Sequence, residues 1–199
     1  DPAKSAKVFY NMMASLDFLP NSPTLFNAGV DLQQLSSCFV LPIEDSMDSI
    51  FQTLHDAALI HKSGGGTGYS FSRIRPKNQV VQSTRGLTTG PISFLRIYDA
   101  ATQEIKQGGK RRGANMGILR CDHPDIIEFI TCKSKMGQVR NFNISVAATT
   151  TFMNAIKDDK TYNLVDPSTK NIVRKEKARH ILNHIANNAW GSAEPGIVF

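Results

Sequence analysis

Along the chain the hydrophobic pattern alternates between the 3.6-residue period of helices and the short apolar runs of strands. Val8, Phe9, Met12, Met13 and Leu16 recur at helical spacing and predict an amphipathic helix over 3–17. The two prolines of Pro20-Asn21-Ser22-Pro23 then predict an extended loop. Ser37-Cys38-Phe39-Val40-Leu41 reads as a short buried strand, ended by Pro42. A helix capped by Asp45 or Ser46 follows, with Met47, Ile50, Phe51, Leu54, Ala58 and Leu59 on its apolar face. Residues 69–75 pattern as a strand and 76–90 as a polar surface connection. Pro91 opens a further helix, where its missing N–H costs nothing, and Ile92, Phe94, Leu95, Ile97, Tyr98, Ala101 and Ile105 form the buried stripe. A strand at 116–119, a helix at 124–134, a strand at 142–148, a helix at 177–190 and a terminal strand complete the series. Strands alternating with helices predict an α/β fold with a largely parallel sheet, as one domain or part of one.

Composition narrows the classes. The 199 residues are 41% hydrophobic and 20% charged, enough to bury a core and too apolar for a disordered chain. No apolar run approaches the ~18 residues of a membrane span, and the first residues lack the apolar core of a signal peptide. Cys38, Cys121 and Cys132 contain no CxxC pair and make no secreted disulfide framework, so the expected compartment is a reducing cytoplasm. The chain starts without Met and stops in the apolar run Gly196-Ile197-Val198-Phe199, which reads as a strand just begun, and hence as a fragment of a longer polypeptide.

A net charge of +6 raises two alternatives, a nucleic-acid-binding surface or a nucleotide-phosphate site. The basic residues concentrate in Lys106-Gln107-Gly108-Gly109-Lys110-Arg111-Arg112, where glycines would let backbone amides join the arginine forks around a phosphate. No aromatic residue interleaves with this cluster through residue 120, which disfavours a nucleic-acid module. Arg73 and Arg75, two apart on the expected strand, would share one face as a second basic cluster, or as plain surface. The run Ser63-Gly64-Gly65-Gly66-Thr67-Gly68 lacks the Lys-Ser/Thr of a P-loop and the GxGxxG spacing, leaving a structural turn and a close ligand approach both open. Cys38 is a packing thiol or a redox thiol. Cys121-Asp122-His123 and the His180/His184 pair have metal-ligand residue types without a completing cluster, so no metal site is assigned.

Five segments, in order, resemble the large catalytic subunit of ribonucleotide reductases. They are Leu19–Gly29 (LPNSPTLFNAG), Gln34–Phe39 (QLSSCF), Asp45–Ile50 (DSMDSI), Gly64–Gly68 with Ser72–Pro76 (GGGTG and SRIRP), and Gln107–Asn115 (QGGKRRGAN). The wording of Ser63–Ser70 and of Thr89–Tyr98 is most similar to the class II, adenosylcobalamin-dependent branch; a class I large subunit with a separate radical-generating protein is the alternative. Asn78 departs from an expected Gly, and Cys121 from the expected residue. The resemblance implies the first half of a ten-stranded α/β barrel, without the radical-cysteine loop, with residues 1–17 leading into a barrel portion over 18–199. It implies reduction of ribonucleotides by thiyl-radical chemistry, by a fragment inactive alone. Cys38 matches a reducing cysteine whose partner lies elsewhere. Ser22, Ser37 and Gly66 match substrate contacts; Asp45, Ser46, Met47 and Arg75 match the effector site; Lys106, Gln107 and Arg111 match the readers of a specificity loop. The implied cofactor is adenosylcobalamin, contacted mostly outside this chain. The implied partners are a ribonucleotide, deoxynucleoside triphosphate or ATP effectors, a thioredoxin- or glutaredoxin-type reductant and a second copy in a homodimer, with no membrane and no nucleic acid.

Overall fold

A computed structural model describes residues 1–31, 33–80, 85–105, 113–134 and 138–199. The chain divides into two compact units, Asp1–Ser37 and Cys38–Phe199.

In the first unit, helix α1 (Pro2–Ala14) starts at an Asp1 cap and buries none of its residues. The amphipathic stripe is therefore present but exposed, with Phe9 62% accessible. The expected extended loop at 20–23 is instead the start of helix α2 (Ser22–Asn27). Pro23 occupies the first turn, where no N–H partner is required, and Asn21 Oδ1 accepts from the Thr24 N–H at 2.9 Å. The two prolines start a helix because only one of them is inside it, at the position proline tolerates.

The second unit is built on strands β1 (Cys38–Leu41), β2 (Gly66–Ser70), β3 (Asn115–Arg120), β4 (Phe142–Ala147) and β7 (Gly196–Val198), all parallel and in that spatial order. Helices α3 (Met47–Lys62), α4 (Pro91–Glu104), α5 (Ile126–Thr131), α6 (Thr150–Lys157) and α7 (Ala178–Ser192) run between them. Because spatial order follows chain order with no reversal, right-handed crossovers carry successive helices to the same face. That is the winding of a barrel wall, not of a doubly wound sheet. The covered face holds Tyr69, Phe71, Tyr98 and Phe142, with Tyr69 and Tyr98 edge to face at 5.1 Å. The other face presents Cys38, Val40, Gly66, Gly68, Ser70, Asn143 and Arg120, exposed or half-buried.

Several boundaries differ from the expected ones. The expected buried strand at 37–41 is an edge strand of alternating exposed and half-buried residues. The expected strand over 69–75 ends at Ser70 and turns into a 3-10 helix over Phe71–Arg73. There the Arg120 N–H donates to Ser72 Oγ at 3.0 Å in place of a strand carbonyl. On α3 the buried positions are Ile50, Thr53, Ala57 and His61, while Met47, Phe51 and Leu59 face outward. The segment 149–176, to which the pattern assigns no element, forms α6 and an antiparallel hairpin of β5 (Thr161–Val165) and β6 (Ile172–Lys177). The hairpin is tied to the barrel wall by Tyr162, whose hydroxyl donates to the Cys121 carbonyl at 2.7 Å.

Candidate functional site

Cys38 opens β1 and Gly66 opens β2, and the two are register partners on adjacent parallel strands, about 4.8 Å apart. Both lie on the uncovered face, since Phe39 and Thr67 alternate to the other side. Cys38 is exposed, where a buried or half-buried thiol was expected. It is also the only exposed one of the three cysteines, all of them reduced. Burial pushes the Cys121 thiol up, and pushes Cys132 up to about 11, so both stay protonated and unreactive.

The glycine run has two jobs. Gly64, at φ +95°, lets α3 end: its N–H donates to the His61 carbonyl at 3.0 Å and that of Gly65 to Ile60 at 3.0 Å. A Cβ on Gly65 would lie 2.6 Å from Ile60 Cγ2 and 2.8 Å from Phe39 Cε2, so that glycine is required by packing. Gly66 and Gly68 are already in β2 and leave its open face bare of side chains as far as Ser70.

At the other end of β1, Ser46 caps α3 by accepting from the Ser49 N–H at 3.1 Å. Met47 follows, 60% exposed, and Asp45 precedes it, half-buried. Arg75 reaches Asp45 with Nε at 2.5 Å, and Arg73 pairs with the neighbouring Glu44. The two arginines thus do not form the shared basic face expected of a strand; each is matched to one of two consecutive acids. Asp45, Ser46, Met47 and Arg75 are gathered at one helix start.

The backbone carrying Arg75 is fixed by residues the sequence reading passed over. His123 Nε2 donates to the Ile74 carbonyl at 2.8 Å, and Asp125 Oδ2 accepts from the Lys77 N–H at 2.9 Å. Thr88 Oγ1 donates to the Pro76 carbonyl at 2.6 Å. His123 was legible only as part of the weak Cys121-Asp122-His123 metal pattern, and Asp125 carried no signal in the sequence. Among the described residues no group of three or more His, Cys, Asp or Glu side chains is placed to hold a metal ion. Asn78, where a Gly was expected, has φ +65°, a left-handed conformation that Gly and Asn share.

Ser22 begins α2 and is exposed, and Ser37 is half-buried; both belong to the first unit. Lys106, Gln107 and Arg111 lie outside the described residues. The uncovered face also carries a cleft of ≈ 610 Å³ lined by Met116, Asn143, Ser145 and Gly196, with the Lys133–Glu194 ion pair at its edge. Among the described residues no helix is long and apolar enough to cross a membrane.

Residues 36–199 match the family described as "Ribonucleotide reductase, barrel domain", and residues 1–33 match "Ribonucleotide reductase, all-alpha domain". The chain belongs to the ribonucleotide reductase family. It is 57% identical over 192 residues to a vitamin B12-dependent ribonucleoside-diphosphate reductase of Thermoplasma acidophilum, covering 96% of this chain and 25% of that protein. A protein of the same description from Mycobacterium tuberculosis is 46% identical over 195 residues, covering 98% of this chain and 28% of the relative. The ribonucleoside-diphosphate reductase large subunit of vaccinia virus is 39% identical over 169 residues, 82% of this chain and 22% of that one. The chain thus spans about a quarter of the length of these reductases. The parallel, one-side-covered sheet is the wall that the barrel-domain match implies.

Proposed function

We propose that this chain is the part of a ribonucleotide reductase catalytic subunit that presents one reducing thiol to the substrate ribose. The pairing of Cys38 with Gly66 on the uncovered ends of β1 and β2 carries the reading. It sets the one exposed thiol beside a backbone bare of side chains, where a ribose can approach closely. In the net reaction the 2′ C–O bond breaks, the hydroxyl leaves as water, and a hydrogen takes its place. Two thiols supply the electrons and hydrogens and become one disulfide. Cys38 is one of them. Cys121 and Cys132, buried with raised thiol pKa values, are not suited to be the other. A thioredoxin- or glutaredoxin-type dithiol returns the pair to the reduced state. Ser22 and Ser37 are assigned to the substrate by resemblance alone.

Asp45, Ser46, Met47 and Arg75 are assigned to a deoxynucleoside triphosphate effector. The capped start of α3 favours negative charge, and Arg75 can give a charge-assisted hydrogen bond to phosphate. Lys106, Gln107 and Arg111 complete that assignment as readers of the effector. Helices α3 and α4 pack together through the Tyr98 hydroxyl, which donates to the Ile50 carbonyl. Their outward Met47, Phe51, Leu59 and Ile97 support a homodimer surface.

The relatives named as vitamin B12-dependent support the class II assignment, with adenosylcobalamin as radical source. The resemblance assigns most contacts to that cofactor outside this chain. The test is anaerobic incubation of the full-length enzyme with a ribonucleotide, a dithiol and adenosylcobalamin. Deoxyribonucleotide is expected; its absence with cobalamin, and its appearance only with a separate radical-generating subunit, would reassign the class.

A further inference from the structure

Under the uncovered face, the starts of β2 and β3 rest on a line of buried polar side chains that neither the substrate nor the effector assignment uses. His61, in the last turn of α3, is 1% exposed, and its Nε2 lies 2.8 Å from Thr67 Oγ1. The Thr67 hydroxyl donates to Asn115 Oδ1 at 2.8 Å. Asn115 Nδ2 donates to Thr102 Oγ1 at 2.9 Å, and the Thr102 hydroxyl donates to the Tyr98 carbonyl at 2.7 Å. Thr67, Asn115 and Thr102 are all buried.

The protons in this line have one order. A hydroxyl has a single proton; Thr67 commits its own to Asn115 and accepts from the Tyr69 hydroxyl, 2.6 Å from Thr67 Oγ1. Its contact with His61 must then be one it accepts, so Nε2 carries the imidazole proton and Nδ1 a bare lone pair. Among the described residues, His61 Nδ1 is buried with no hydrogen-bond partner. Burial lowers the His61 pKa, in keeping with a neutral ring.

The position of the line in the fold gives it a role. Thr102 lies in the last turn of α4, and Gly113 and Asn115 lead into β3, so the line joins the two flanks of the segment 105–113. A Cβ on Gly113 would sit 3.0 Å from Thr102 Cγ2 and 3.2 Å from His61 Nδ1, which places the Gly113 backbone against the imidazole. Thr67 is the residue between Gly66, the register partner of Cys38, and Gly68.

We propose that His61 is a positioning residue that couples the entry of β3 to the Cys38 end of β2 through Thr67 and Asn115. A shift of Gly113 against the ring moves Asn115, and Asn115 moves Thr67 with the Gly66 backbone beside it. The vacant acceptor at Nδ1 leaves the line one hydrogen bond short in this arrangement. This inference rests on the effector reading above, because the quantity it carries is the effect of effector on substrate choice.

Two variants at one position test it in the full-length enzyme. His61→Gln keeps an N–H donor at the reach of Thr67, and His61→Asn is too short to keep it. The readout is the ratio of kcat/KM for two ribonucleotides with and without each deoxynucleoside triphosphate, beside direct titration of effector binding. His61→Asn is expected to bind effector as the parent does while its effector-dependent ratio shrinks toward 1; His61→Gln is expected to retain most of the parent response. Where either variant fails to fold, Thr67→Val and Thr67→Ser make the same comparison, without and with the hydroxyl. If both members of a pair keep the full parent response, or lose it equally while folded, the coupling role is overturned. A parent enzyme with no effector response overturns the effector reading itself, and the coupling with it.

Discussion

Arg75 holds Asp45 with two donors, its backbone N–H to Oδ1 at 3.2 Å and its Nε to Oδ2 at 2.5 Å. The contact spans 30 residues and ties the segment after the 3-10 helix to the start of α3. It also means that the proposed phosphate ligand is already engaged by a carboxylate from the same proposed site. An arriving triphosphate therefore shares or replaces Asp45 as the partner of Arg75.

Replacing Arg75 by Ala removes a charge-assisted hydrogen bond of the kind that contributes about 1.5–3 kcal/mol. Effector affinity is expected to fall by roughly 10- to 150-fold, since about 1.4 kcal/mol is a factor of ten. The stability change should be small, because the Arg75 side chain is 36% exposed and such pairs contribute only about 0–1 kcal/mol. Equilibrium dialysis with a labelled deoxynucleoside triphosphate measures the first and thermal denaturation the second. Unchanged effector affinity would leave Arg75 as a structural clasp on Asp45.

The cysteines should separate by reactivity. Brief treatment of the native protein with iodoacetamide at neutral pH should alkylate Cys38 and spare Cys121 and Cys132, which are 0% and 4% exposed. Peptide mass spectrometry before and after denaturation reads this directly. Rapid native labelling of Cys132 would contradict both its burial and its thiol pKa, pushed up to about 11.

Two neighbouring glycines should respond differently to Ala. Gly65→Ala drives a methyl into Ile60 and Phe39 and should cost about 1–3 kcal/mol, visible in the urea midpoint. Gly68→Ala meets nothing closer than Met116 Cβ at 3.6 Å, so its stability should stay within about 0.5 kcal/mol of the parent. Because Gly68 lies on the uncovered face beside Gly66, turnover is expected to fall in Gly68→Ala despite its intact fold. Full turnover there would argue against a substrate lying along β2.

Acid sensitivity follows from two buried histidines. Burial lowers the pKa of both His61 and His123, so the unfolded chain binds more protons than the folded one as pH falls below about 6.5. Stability should be full above that value and decline as pH drops toward the depressed folded-state values. For His123 the physical reason is visible: Nδ1 accepts the Asp125 N–H at 3.0 Å, a bond that protonation would destroy. Melting temperatures from pH 8 to pH 5 should fall, and less steeply in His61→Gln, which cannot titrate there. A parallel pH profile for that variant would remove His61 from the account.

The alternation of strands and helices was legible in the sequence because each element carries its own period. Pro91 marked its helix start, and of the two expected caps, Asp45 or Ser46, Ser46 is the one that caps α3; the parallel sheet followed. What escaped was set by contacts between distant segments. Thr67 and Asn115 are 48 residues apart, and only the register of β2 on β3 makes them a pair. The buried side of α3 was misjudged for a related reason. Thr53 and His61 face inward because Thr53 donates to the Pro42 carbonyl at 2.8 Å and His61 meets Thr67, whereas Met47, Phe51 and Leu59 stay outside. Hydrophobicity alone ranks those residues the other way round. The β5–β6 hairpin escaped because Arg174, Lys175 and Lys177 leave β6 without an apolar alternation.

The redox role of Cys38 is what the proposed reaction depends on most directly. Full-length enzyme and its Cys38→Ser variant should be compared for deoxyribonucleotide formed per enzyme, with a dithiol reductant in excess. The parent is expected to turn over many times, and the variant, which keeps the shape of the site but has no thiol to oxidise, is expected to form no more than a trace. A variant that turns over at the parent rate would make Cys38 a surface thiol of β1 and contradict the assignment.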